Sequence, residues 1–422
     1  MRNPNSQPLR TQISKASLQT LSIPIVLAVV LTTIFVVSSA QAQTYSVVYN
    51  FAGAPDGATP NGRLMQDAAG NFYGVTRFGG AHKKGTIFKL DTSGTETVLY
   101  SFTGKADGAS PVGLYLDTDG TLYGTADSGG DLSCKLSTTG CGTVFKLSTG
   151  NVLTVLHTFS DGSDGAYPND TLVSINGVLY GTADDGASTA SCGSCGLIFK
   201  VTKGGTFSVV YAFTGGTDGY DPQDLIRDAA GNLYGAAASG GSGGYGVVFE
   251  YDTAGNLVIL YSFDGGTGGG NPEGRIIRDV NGNIHGTTYI GGSTKCTTLG
   301  CGVLYRLDTA VTETVLHTFT TNPDGVNPLN NLLDVSGSLY GTTYGGGDSS
   351  CSPLSHGCGV LFEFGNTGEY SVIHSFTGGD DGGFVGDLTL GADGSIYGTT
   401  QEGGTGTVGC SKGCGVIFKY MP

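Results

Sequence analysis

The chain has 422 residues, of which 75 are Gly, 13 Pro and none Trp, and 35 acidic against 20 basic side chains leave a formal charge of −15. Glycine at this level without a Gly-X-Y period is not collagen, and regular apolar runs exclude a disordered chain. A surface this anionic repels phosphate backbones, which argues against nucleic acid, and it draws cations or basic partners.

The first predicted element is a leader. Arg2, Arg10 and Lys15 precede an apolar run from Leu21 to Val37, and Ala40 and Ala42 follow in an A-x-A arrangement. Basic, apolar and small-residue regions in that order make an export signal, with cleavage expected after Ala42. The run is close to spanning length, so an uncleaved signal anchor is the rival reading. Cleavage removes three bases and no acid, taking the formal charge from −15 to −18. No second long apolar run follows. Residues 43–422 are therefore expected as one soluble, monomeric domain, secreted or periplasmic and free of the membrane after cleavage.

From Tyr45 onward four short motifs recur, and each appears seven times. The first in the chain is YSVVYNF (Tyr45–Phe51), a copy of TVLYSF (Thr97–Phe102). A segment like GLYLD (Gly113–Asp117) comes next, then LYGT (Leu122–Thr125), then GTVFKL (Gly142–Leu147). Val98, Tyr100 and Phe102 alternate strictly with Thr97, Leu99 and Ser101, the period-two signature of a strand. Turn formers such as DAAGN (Asp67–Asn71) separate the strands, where Gly, Asn and Asp accept positive φ. Four strands in units of roughly 50–57 residues match a propeller blade better than a solenoid coil. The chain opens on a lone TVLYSF-type strand and ends on GVIFKY (Gly415–Tyr420), which lacks one. The predicted fold is therefore all-β: a seven-bladed β-propeller of four-stranded blades, closed by the N-terminal strand completing the last blade. With strands a to d running outward from the axis, GLYLD is a, LYGT b, GTVFKL c and TVLYSF d. The spacing from the b tyrosine to the c aromatic varies from 15 to 22 residues, while the c-to-d spacing is 14 in each contiguous copy. Length variation thus sits in the b–c loop, and variable loops are where binding surfaces usually lie.

All ten cysteines fall in b–c loops as Cys134/Cys141, Cys192/Cys195, Cys296/Cys301, Cys351/Cys358 and Cys410/Cys414. Local pairs in an exported chain read as disulfides. Zinc would need a second pair close to each, and redox exchange at Cys192–Cys195 would need a helix start. Asp56, Asp107, Asp164, Asp218, Asp324 and Asp381 recur five residues past a d phenylalanine, with Gly268 in the fifth unit. An Asp-Gly turn is the plain reading; a ring of carboxylates holding Ca²⁺ near the top of the channel is the sharper one. His157, His317 and His374 stand where other repeats carry Tyr, and His285 replaces the b tyrosine, so these histidines read as packing residues. The b tyrosines read as packing between blades, which leaves Tyr245, Tyr289 and Tyr344 as freer loop aromatics. No Ser/His/Asp set and no carboxylate pair can be singled out, so no catalytic residue and no metal ligand is assigned. No cofactor is expected, Ca²⁺ being the one ion considered.

The combination of DGAxP, DxxGNLYGTT, GTVFKL and TVLYSF resembles the bacterial Gloeo/Verruco (GloVer) tandem-repeat family over nearly all of residues 44–420. The resemblance implies export and a tandem-repeat fold, and it implies no settled activity and no catalytic residues. Relatives often end in a C-terminal sorting segment; this sequence stops at Met421–Pro422, which argues against anchoring by that route. The functional expectation is a non-enzymatic recognition or scaffold module for an extracellular protein or glycan. A secreted hydrolase or lyase acting on polysaccharide at the channel mouth is the alternative. In a four-stranded blade the b–c and d–a loops share one face, and Asp107, Asp164, Tyr289 and Tyr344 are the candidate contacts there.

Overall fold

A computed structural model describes residues 43–422 apart from 135–136, 161, 170, 187–191, 350, 352–356 and 407. The leader reading lies outside the described residues. Among these residues no helix is long and apolar enough to cross a membrane.

Seven antiparallel sheets form the seven blades of a β-propeller. Blade 1 consists of Gly57–Gln66, Phe72–Gly79, Thr86–Leu90 and Glu96–Ser101 as strands a to d. Blades 2 to 6 repeat that order. Blade 7 takes Gly383–Leu390, Ile396–Glu402 and Val416–Met421 from the end of the chain and Thr44–Asn50 from its start. Tyr45 pairs with Tyr420 and Asn50 with Val416, so the N-terminal strand closes the ring as strand d.

The repeated motifs are the parts of one inter-blade joint. Each d phenylalanine is buried and meets the c aromatic of the next blade: Phe51 on Phe88, Phe102 on Phe145, and so on to Phe376 on Phe418. Their ring centroids are 5.1 to 5.5 Å apart. Edge-to-face pairs of this kind add about 0.5–1.5 kcal/mol each beyond area burial. The LYGT glycine is needed because a Cβ at Gly124 would stand 2.7 Å from the Phe145 ring and 2.5 Å from the Gly113 carbonyl oxygen.

Two features depart from the sequence reading. Strand d does not alternate strictly. In all seven blades its register slips by one residue against strand c, as where Ile87 pairs with Tyr100 but Phe88 with Val98. The bulge adds local twist, which a blade needs. In blades 1, 2 and 7 strand a is also longer than GLYLD, for the DGAxP-type segment forms its first half, whereas in blades 5 and 6 it is only Ile277–Arg278 and Leu333–Val335. In blade 2 strand a runs from Ala109 to Leu116 with Pro111 inside it. Blades 3 and 4 break it into two pieces (Ala166–Pro168 and Val173–Ile175; Tyr220–Pro222 and Ile226–Arg227).

The residue before each motif proline, or before Val385 in blade 7, has positive φ: Thr59, Ser110, Tyr167, Asp221, Asn271, Asn327 and Phe384, at 50° to 62°. Left-handed geometry is strained for such side chains. Every one of these residues is held by the same bond. Its N–H donates at 2.8 to 3.2 Å to a carbonyl of the preceding blade, at Cys414, Lys84, Cys141, Cys195, Tyr245, Cys301 and Cys358 respectively. Seven such latches run round the ring, and in five blades the acceptor is the second cysteine of the b–c loop.

Candidate functional site

The b–c loops carry the bridges expected from sequence: Cys134–Cys141, Cys192–Cys195, Cys296–Cys301, Cys351–Cys358 and Cys410–Cys414. The second cysteine of each is buried. Each bridge therefore fixes the backbone carbonyl that receives the latch from the next blade.

The repeated aspartates are turned back onto their own loops. Asp107 accepts from Thr103 N–H at 2.7 Å, Thr103 Oγ1 at 2.5 Å, Lys105 N–H at 3.2 Å and Tyr100 Oη at 3.1 Å. Asp164 accepts from Ser160 N–H and Oγ and from Gly162 N–H, and pairs with His157 Nε2 at 3.2 Å. The strand-d histidines thus do the work of the strand-d tyrosines. They also stack on the next blade, His157 on Phe207 at 3.6 Å and His317 on Tyr370 at 3.7 Å. Where Gly268 replaces the aspartate, Tyr261 Oη donates to Glu313 instead, at 3.0 Å. These carboxylates are joined to the outer strand of each blade. Among the described residues no group of three or more His, Cys, Asp or Glu could hold a metal ion.

A different set of residues converges at the axis. A cavity of about 750 Å³ opens on the b–c/d–a face. Every blade lines it through the residue after the motif proline or after Val385: Asn61, Val112, Asn169, Gln223, Glu273, Leu329 and Gly386. The cavity is therefore the mouth of the central channel. Strand b adds Arg77, Asp127 and Asp184, three places past the LYGT glycine, on one side. The same repeat position holds Ala238, Tyr289, Tyr344 and Gln401 in blades 4 to 7. Both this position and the one after the motif proline change chemistry from blade to blade, while the joint motifs stay fixed.

Acids dominate one side of the rim. Arg77 Nη2 donates to Asp127 at 2.6 Å, and Asn169 donates to Asp184. Ser194 Oγ donates to Asp185 at 2.9 Å, and Gln223 Nε2 to Asp221 at 3.1 Å. Burial raises the Asp184 carboxyl well above the carboxylate range, and Asp221, Asp185 and Asp127 raise it further. Burial, then Asp185, pushes Asp221 up to about 6; burial, then Asp221, pushes Glu273 up to about 7. Such crowding stores unfavourable charge that a basic or hydrogen-bonding ligand would relieve.

Aromatics continue the arc. Tyr289 is half-buried, close enough to Glu273 and Tyr344 to feel their charge, and its backbone is held by Asn271 and Asn327. Tyr344 is exposed and packs on Phe384 with centroids 5.0 Å apart. Of the sequence candidates, Tyr289 lies beside the cavity-lining Glu273 and near Tyr344, while Asp107 and Asp164 are held in their own turns; the cavity lining includes none of the four. The rim acids and Arg77 escaped the sequence reading. One signal could have found them: aligning the seven repeats and asking which strand position changes its chemistry.

The propeller is shared with solved structures of low sequence identity. Virginiamycin B lyase from Staphylococcus aureus, solved with quinupristin, matches with a TM-score of 0.57 at 11% identity over 90% of this chain and 100% of that one. The extracellular domain of a protein described as a hybrid two-component system from B. thetaiotaomicron matches with a TM-score of 0.53 at 11% identity. That match covers 90% of this chain and 42% of that one. At such identity the likeness is one of fold. No curated protein sequence matches the chain. The family model described as Gloeobacter/Verrucomicrobia repeat matches residues 31–194 and 187–411.

Proposed function

Taking as premise that the chain belongs to the Gloeobacter/Verrucomicrobia repeat family, we propose that it is an exported recognition module that holds its ligand at the b–c/d–a mouth of the channel. The observation that carries this reading is the lining of that mouth, where Arg77, Asp127 and Asp184 of strand b and the residues after the motif prolines differ from blade to blade while the joint motifs stay fixed. A scaffold alone has no use for such variation at one mouth. Asp184, Asp221 and Glu273 suit amines and sugar hydroxyls, and Tyr289 and Tyr344 offer rings on which a sugar face or a basic side chain can stack. An extracellular glycan or a basic segment of an extracellular protein fits both. Asp107 and Asp164 hold the framing loops in place. The five local disulfides support an oxidising, extracytoplasmic compartment, and the leader supports export.

Glycan and protein arrays probed with the exported protein, with and without Ca²⁺, test the proposal. Wild type binds a defined class, and the Asp184→Asn and Tyr344→Ala variants lose most of that signal. Equal binding by both variants refutes the placement. The raised carboxyls of Asp221 and Glu273 favour one second reading, since a protonated acid near neutral pH can serve as a general acid in glycoside cleavage. Release of reducing ends from a bound polysaccharide, abolished in Glu273→Gln, would establish it.

A further inference from the structure

The channel is charge-segregated along its axis. Acids gather at the mouth just described, and arginines gather at the other. Of the six arginines in residues 43–422, four line a second cavity of about 270 Å³: Arg63, Arg227, Arg275 and Arg278. Asp334 is the one acid in its lining. In a chain with 35 acids this concentration is against the trend.

The arginines are not used up by the fold. Arg63 reaches into the channel, and among the described residues its guanidinium makes no hydrogen bond or ion pair. Burial, then the neighbouring Arg275, lowers it to about 10, and Asp224 and Asp387 offset only part of this. Those two aspartates line the opposite cavity, with one oxygen each taken by the N–H of Thr171 and of Asn331. Arg275 spends one donor on the Leu225 carbonyl, at 3.4 Å. Arg227, exposed at the end of strand a, has no partner among the described residues. Arg278 is held in place over the Tyr234 ring at 4.9 Å, with Asp228 at 3.6 Å. Ile226, Ile277 and Leu333 complete an apolar collar around these charges. A collar of this kind excludes water and strengthens any charge pair formed inside it.

We propose that this arginine-floored mouth is an anion site that takes a small ligand through a carboxylate, phosphate or sulfate group, with Arg63 and Arg275 gripping the oxyanion and Arg227 guarding the entrance. Guanidinium forks match oxyanions two oxygens at a time, which is what unspent donors on adjacent arginines provide. At about 30 Å³ per water, the cavity has room for roughly nine water-sized groups, which fits a monomeric ligand and not a polymer. Arg275 also lines the acidic mouth, so the two sites adjoin inside the channel, and the anion site is the one built on Arg63 and Arg227 beside it.

Titration calorimetry of the exported protein at constant ionic strength tests this with inorganic phosphate, sulfate and glucuronate as probes. Sodium chloride is the reference, and glucose is the neutral partner of glucuronate. At least one anion binds saturably and glucose does not; the strongest of the three identifies the oxyanion. Arg63→Gln weakens that binding at least tenfold, Arg227→Gln several-fold, and Arg77→Gln at the opposite mouth leaves it unchanged. Should Arg63→Gln fail to fold, Arg227→Gln decides alone, because an exposed strand-end side chain bears no packing. Absence of saturable binding overturns the proposal. So does binding that survives both variants, or that falls equally in Arg77→Gln, the mark of diffuse charge.

Discussion

Replacing Gly142 by alanine tests whether the joint between blades, more than the blades themselves, holds the ring. Gly142 opens strand c of blade 2 with φ +95°, and a Cβ there would lie 2.6 Å from Pro168 Cδ in blade 3 and 2.5 Å from the Ala126 carbonyl oxygen. An L-residue in left-handed geometry costs about 1–2 kcal/mol. Forcing a methyl into a filled contact adds about 1–3 kcal/mol. The Gly142→Ala loss is therefore about 2–5 kcal/mol. Gly177 supplies the control, with φ +80° and nothing within 4 Å of its Cβ position. Gly177→Ala pays the conformational part alone, about 1–2 kcal/mol. Urea denaturation followed by tyrosine fluorescence compares the two midpoints. A Gly142→Ala midpoint no lower than that of Gly177→Ala refutes the reasoning. The same contact recurs between Gly415 and Pro60, where a Cβ would stand 2.5 Å from the ring, so Gly415→Ala strikes the joint that closes the circle.

Removing one bridge as Cys296→Ser/Cys301→Ser should cost about 2 kcal/mol from loop-closure entropy alone, read as a lower melting temperature, and should expose the Asn327 amide to faster hydrogen exchange because its latch ends on the Cys301 carbonyl. Asp107→Ala removes an acceptor of four hydrogen bonds and should cost about 2 kcal/mol in denaturant, with no change in the channel rim. Stability should also fall as pH rises from about 4 to about 7. Over that range the folded protein keeps protons on Asp221 and Glu273 that the unfolded chain has released. Asp221→Asn/Glu273→Gln should flatten this limb of a melting-temperature profile. Below about pH 4 the sign reverses. Asp393, partly buried but held at about 2 by hydrogen bonds from Lys419, Ser395 and Tyr397, and the lowered Asp67, Asp228 and Asp279 lose their contribution as they take up protons.

The blade count, strand order, ring closure and cysteine pairing were all legible in the sequence, because each is a property of one repeat compared with the next. The strand-a extension was not. A proline and a turn-forming Asp-Gly pair argue locally for a loop, and the hydrogen bond that pulls Ser110 into strand a is donated by its N–H to the Lys84 carbonyl in another blade. The two charged mouths were hidden for a related reason. Asp127, Asp184, Asp221 and Glu273 are spread over nearly 150 residues of chain, and only closure about a common axis brings them together. The aspartates that follow strand d were readable because the plain expectation, an Asp-Gly turn, is local: each is consumed by its own turn, as Asp107 is by Thr103, Lys105 and Tyr100.

Closure by Thr44–Asn50 has a further consequence for how the molecule is made. The first strand of the ring to be synthesised pairs with the last, since Tyr45 sits opposite Tyr420. Until Val416–Met421 emerges, Thr44–Asn50 has no edge of its own to join, and blade 1 lacks the Phe51 ring that packs on Phe88. Contacts so distant along the chain form slowly. A partly synthesised chain therefore carries one orphan β-strand and two uncovered blade faces, and either can capture the matching edge of a second molecule. High-level expression should then produce strand-exchanged dimers in proportion to synthesis rate, assembled by the same pairing that makes the monomer.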